Sequence, residues 1–123
     1  PFVAEFLGRV NRVERDDTAM ATGRIRFGTL DWPCPPELAR CRVLLIRPED
    51  VHLQVPGHGG SPPPGGLATV RRRVFLGERV SLTLDADGSQ LTVDVARDSA
   101  FAPGHTVSVG VSPDRWMPGV GES

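Results

Sequence analysis

The chain has 123 residues, 39% of them hydrophobic, enough for one ordinary globular domain or two very small lobes, and its net charge of −1 gives no electrostatic reason for nucleic acid or an acidic membrane as partner. All 14 basic residues are arginine, so a P-loop lysine, a Schiff-base lysine and a Ser-Lys dyad are excluded, and two cysteines, Cys34 and Cys41, are too few for a structural zinc site. A disulfide between them stays geometrically open but has no secretory signal in its favour, no apolar run approaches the ~20 residues of a membrane span, and the chain reads as cytosolic and reduced.

Glycine and proline together make 26 of 123 residues, about 21%, well above the average of roughly 12%, so many turns and short strands follow. At the N-terminus, Phe2, Val3, Phe6 and Leu7 fall on one side of a helical turn and a half that Gly8 ends. A helix this short is not stable alone in water, and a first residue that is proline rather than methionine suggests a piece of a longer polypeptide, with this helix packed on something upstream or capping the domain itself. Residues 11–17 read as a charged edge strand entering a turn at Asp16-Asp17. Residues 19–27 alternate imperfectly, with Ile25 and Phe27 opposite Arg24 and Arg26, as in a half-buried strand. Residues 30–36 contain three prolines and are expected to lack regular structure, with Trp32 covering an open end of the first lobe.

Val43, Leu44, Leu45 and Ile46 form the longest uninterrupted apolar run, as suits a strand covered on both faces. Pro48 has no N–H for a ladder and pushes Arg47 toward an extended conformation, so Arg47, Pro48 and Glu49 should form a corner, with Arg47 paired to an acid there. A short strand through Val51, Leu53 and Val55 follows. Residues 56–66 are glycine and proline throughout, with no apolar residue to bury, and read as a linker or exposed loop.

The second half has the clearest alternation. A two-residue turn at Asp87-Gly88 would set Leu84 opposite Leu91, Leu82 opposite Val93 and Val80 opposite Val95, so every apolar residue meets an apolar one. A slip by one would turn one strand's hydrophobic face to water. Residues 70–76 form a strand before this hairpin with a bend at Gly77, and Val107, Val109 and Val111 give another after a turn at Pro103-Gly104. Trp116 and Met117 tuck back, and residues 118–123 fray. The expected fold is therefore all-β, a small antiparallel barrel of about five strands in each of one or two lobes, with a short N-terminal helix.

Catalytic signals are weak. There is no Gly-x-Ser-x-Gly elbow, and His52, His58 and His105 stand apart. Glu49 and Asp50 are adjacent, so they point apart on an extended chain. Arg71, Arg72 and Arg73 form the one charge run; on a regular strand Arg71 and Arg73 share a face, and two guanidiniums there can hold a tetrahedral oxyanion. The plainer and commoner use of such charge is a solvated edge that guards against aggregation. Single-stranded nucleic acid is rejected as a ligand, because no tyrosine and no basic aromatic groove are present.

Three stretches carry a family resemblance: FVAEFLGRVNR at residues 2–12, LLIRPEDVHL at 44–53 and ATVRRRVFLGERV at 68–80. In this order they resemble the C-terminal regulatory region of an ABC importer ATP-binding subunit, the transport-associated OB (TOBE) domain, of the sulfate/thiosulfate branch or the iron and polyamine branches. The resemblance implies two OB-like lobes, residues 10–55 and 67–117, joined by the 56–66 loop and followed by a frayed tail at 118–123. It makes residues 1–9 the end of a linker helix from an upstream ATPase domain, with Phe2, Val3, Phe6 and Leu7 at that interface. It further implies a homodimer of subunits on the cytoplasmic face of the inner membrane, reaching permease subunits indirectly, with neither ATPase activity nor a cofactor in this part. Some domains of this kind bind molybdate or sulfate, so the alternative is a small oxyanion-sensing module using Arg71 and Arg73. A third possibility is a pure dimerisation surface.

Overall fold

The computed structural model describes residues 10–55 and 65–119; the expected helix through Phe2, Val3, Phe6 and Leu7 and most of the Gly/Pro-rich loop lie outside them. In chain order the elements are β1 (Asn11–Glu14), α1 (Asp17–Thr22), β2 (Arg24–Phe27), β3 (Leu30–Pro33), a 3-10 turn (Pro36–Leu38), β4 (Val43–Ile46), a second 3-10 turn (Pro48–Asp50) and β5 (Val51–Gln54). After the loop come β6 (Leu67–Phe75), β7 (Arg79–Ala86), β8 (Ser89–Ala96), β9 (Thr106–Val111), a third 3-10 turn (Pro113–Arg115) and β10 (Met117–Pro118). All strand pairs are antiparallel, in sheets ordered β1-β4-β10, β2-β3 and β5-β9-β6-β7-β8.

The β7–β8 hairpin has the expected register, with Leu84 on Leu91, Leu82 on Val93 and Val80 on Val95. Asp87 and Gly88 both take positive φ, as a two-residue hairpin turn requires. All four side chains of β4 are buried because the strand is central in its sheet, between β1 and β10. The chain leaves β4 at the expected corner, where Arg47 is extended before Pro48 and the Asp50 N–H donates to the Arg47 carbonyl.

Four expectations are corrected. The strand expected over residues 19–27 begins only at Arg24, because the preceding turns are helical: the Asp16 carboxylate accepts from the Ala19 N–H at 2.7 Å, and Gly23, at φ 69, ends α1 in the left-handed region. The proline-rich 30–36 segment is regular over its first half. Pro33 stands at the end of β3, where a two-stranded ribbon tolerates the missing N–H. Trp32 does not cover an open end; it is buried, donates from Nε1 to the Val109 carbonyl at 3.1 Å and packs against Trp116 with ring centroids 5.4 Å apart. Pro118 is not frayed, since β10 pairs with β4 and the Gly119 N–H donates to the Val43 carbonyl.

Hydrogen bonding also crosses the boundary expected at the 56–66 loop. β5, from before it, pairs with β9, and β10, from the far end, pairs with β4, so the two expected lobes are laced into each other. A single apolar cluster runs from Val13, Ile25 and Trp32 through Leu44 and Ile46 to Leu82, Leu84, Val93 and Val109. Between the edges of β1 and β8, the buried Asn11 amide acts as a clip: its Oδ1 accepts from the Thr92 N–H at 2.8 Å and its Nδ2 donates to the Thr92 carbonyl at 2.7 Å.

Just after β1, Arg15 is 1% exposed and donates to five carbonyls: those of Arg24, Leu38, Ala39, Cys41 and Ala19. Stranding these acceptors should cost several net hydrogen bonds to a charged donor. Arg15→Ala is therefore expected to destabilise the fold by about 3 kcal/mol, with Arg15→Lys recovering only a part because an ammonium has three donors instead of a five-donor fork. Urea unfolding of the three proteins, compared by midpoint at constant slope, checks this.

Candidate functional site

The structure does not assemble a catalytic constellation from the described residues. His52 lies opposite Gly110, towards the far end of β9 from His105, whose Nδ1 accepts from the Ala102 N–H at 3.2 Å; His58 lies outside the described residues. Among the described residues no three His, Cys, Asp or Glu side chains are placed to share a metal ion. Cys34 and Cys41 are free, half-buried thiols on either side of the first 3-10 turn. Burial pushes the Cys34 thiol above its ordinary value, nearby Cys41 and Glu37 add to the rise, and the Arg15 charge offsets part of it.

At the β4–β5 corner Pro48 is buried while Arg47 and Glu49 are exposed, and the expected ion pair of Arg47 is not formed among the described residues. The corner is held instead by the proline and by backbone hydrogen bonding.

The arginine run is rearranged by one residue. Along β6–β7, Val70 faces Leu84 but Arg72 faces Thr83, so Arg71 is the extra residue of a β-bulge. Cross-strand partners share a face, and Leu84 and Leu82 point into the core. Arg73, opposite Leu82, therefore lies on the inner side with Val70, and Arg72, opposite Thr83, lies on the outer side. Arg71 also turns outward, where its Nη2 is 3.3 Å from Asp85 Oδ2. The expected shared face of Arg71 and Arg73 is thus corrected: the bulge separates them and brings Arg71 and Arg72 together instead. Arg73 is occupied as a clamp, donating from Nη1 to the carbonyls of Phe101 at 2.8 Å and Ser99 at 3.2 Å. Sequence periodicity could not locate the bulge, because three identical residues carry no mark of phase.

Three open clefts are lined by described residues. One of about 250 Å³ lies beside Arg71's partner, lined by Thr29, Leu67, Thr69, Asp85, Asp87 and Thr106. A mainly apolar one of about 670 Å³ is bounded by Leu53, Gln54, Val55 and Phe101. The third, about 390 Å³, lies between Pro33, His52, Gly65, Gly110 and Ser112, over the buried Trp32. Of the three, only the first adjoins the outward arginines, through Asp85.

The sheets and their closure define a small antiparallel β module of OB-like type. A model of the TOBE domain family matches residues 44–117, more than half of the chain, and the chain belongs to that family. Among solved structures it is similar in fold to the cytoplasmic molybdate-binding protein ModG, in a crystal form with molybdate bound: 14% of residues are identical, the TM-score is 0.64, and the match covers 92% of this chain and 96% of that one. No curated protein matches the chain by sequence. No helix among the described residues is long and apolar enough to cross a membrane.

Two outcomes follow from this geometry. Arg73→Ala should cost about 1–2 kcal/mol in chemical unfolding, because its carbonyl partners lose a charged donor, whereas Arg72→Ala, exposed and without such partners among the described residues, should stay within about 0.5 kcal/mol. The second concerns pH. A thiol whose folded pKa is raised adds stability that is fully present below its unfolded value, near 8.5, and is lost as pH rises through the folded value. Melting temperatures of the reduced protein should accordingly fall more steeply above about pH 8.5 than those of Cys34→Ala.

Proposed function

We propose that the chain is an oxyanion-binding regulatory module of the TOBE type. The observation that carries this reading is the fold shared with a molybdate-binding protein over nearly the whole of both chains. The pair of outward guanidiniums at the β6 bulge supports it with chemistry suited to a tetrahedral oxyanion. Molybdate, sulfate or thiosulfate at millimolar concentration should raise the melting temperature by a few degrees, since a ligand at about a hundred times its Kd stabilises by about 2.7 kcal/mol. Chloride at matched ionic strength should leave it unchanged. Absence of a shift with every oxyanion would sink the reading.

A second reading has its own support, in family membership and in the three ordered stretches that resemble the sulfate/thiosulfate importers. In it the module is the regulatory domain of an ABC importer's ATP-binding subunit, working as a pair of subunits beneath a permease on the cytoplasmic side of the membrane. The purified chain then hydrolyses no ATP, and light scattering separates a dimerisation role, two copies without ligand, from a purely ligand-sensing one. Reading the gene upstream of Pro1 for a Walker lysine motif tests the connection to an ATPase.

A further inference from the structure

Most of the described arginines are already committed. Arg15 and Arg73 serve carbonyls, Arg79 pairs with Asp94, Arg24 and Arg26 share Asp31, Arg42 pairs with Asp17, and Arg97 stacks over Phe75. The bulge in β6 creates the one place where two consecutive arginines turn to the same side. Their Cα atoms are about 3.8 Å apart, and both side chains leave the same face of the sheet.

Asp85 supplies one negative charge. Its Oδ1 accepts from the Gly88 N–H at 3.2 Å, which orients the carboxylate, and its Oδ2 meets Arg71 through a single contact of 3.3 Å. The Arg71 side chain is 62% exposed, so most of its donors face solvent. Arg72 is exposed and has no ion pair among the described residues, and Thr83 is its cross-strand partner. The donors are two guanidiniums from consecutive residues on one face, which suit a doubly charged tetrahedral oxyanion better than a monoanion.

We propose that Arg71 and Arg72 are the anion-binding pair of this chain, and that Asp85 is a built-in competitor which holds Arg71 until a dianion takes its place. This rests on the oxyanion reading above and names its site. A monoanion brings no more charge than the carboxylate it must displace, so the site discriminates by charge. The apparent affinity is set by the difference between the incoming anion and Asp85, and Asp85 acts as a positioning and threshold residue.

Calorimetric titration of sulfate and of molybdate tests this on the full chain and on single variants. Arg71→Gln and Arg72→Gln should each weaken binding tenfold or more. Asp85→Asn, which keeps an oxygen for the Gly88 N–H but gives up the charge, should strengthen it several-fold and let monoanions bind measurably. Arg73→Gln should lower the melting temperature without changing affinity, which separates loss of fold from loss of site. If the unaltered chain binds neither anion, the oxyanion reading fails and this site with it. If it binds both and Arg71→Gln and Arg72→Gln bind equally well, the site assignment fails while the reading stands. An affinity in Asp85→Asn equal to or below that of the unaltered chain overturns the competitor role.

Discussion

A buried guanidinium with no carboxylate partner among the described residues governs the half of the molecule in which no described ladder joins β2–β3 to the sheet of β4. Arg15 sits at the end of β1 and gathers carbonyls from α1, from the start of β2 and from the 36–41 turn. An isolated cation out of water would be prohibitively costly, and here a ring of backbone dipoles replaces the solvent. Two contributors, Leu38 and Ala39, lie at the C-terminal end of a short 3-10 turn, where carbonyl dipoles concentrate negative charge. The same charge offsets part of the rise that burial imposes on the Cys34 thiol close by. Packing of α1 and the near end of the ribbon thus depends in part on electrostatics, while Ile25, Leu30 and Trp32 of the ribbon enter the common apolar core.

A second constraint joins that ribbon to the large sheet. Gly65, at φ 83, passes so close to the Trp32 indole and the Val109 carbonyl that any Cβ would collide with both. The Asp31 N–H donates to the Gly65 carbonyl and the Val109 N–H to that of Gly66. The chain returning from the 56–64 segment is therefore stitched between β3 and β9 before it enters β6. Trp32 is fixed by the same passage, which explains why a residue inside a proline-rich stretch becomes one of the most buried in the chain.

Where a residue's surroundings are set by near neighbours, the sequence was legible. The β7–β8 register could be read because a two-residue turn and strict alternation leave one pairing that buries both strands, and β4 and its corner followed from an apolar run ended by proline. Helix α1 has a readable signal, an aspartate before and a glycine after six residues, but the apolar alternation of Ile25 and Phe27 just beyond it masks where the strand begins. The interlacing of the two halves had no local signal, since β5 and β10 find partners far away along the chain. The candidate site was legible only as charge: the arginine run was evident, while the face each guanidinium takes depends on a bulge that the run itself conceals.

The position of β4 has a consequence for how the molecule comes into being on a ribosome. Both neighbours of this strand come from the extremities of the fold, β1 from its first residues and β10 from its last. Until Met117 and Pro118 have emerged, the most apolar strand in the chain has a bare edge, and the Trp32 ring lacks the Trp116 that packs on it. The fold cannot be completed progressively as it is translated; the nascent chain must wait with its central strand half-covered, at the stage when unpaired edges are most open to wrong partners.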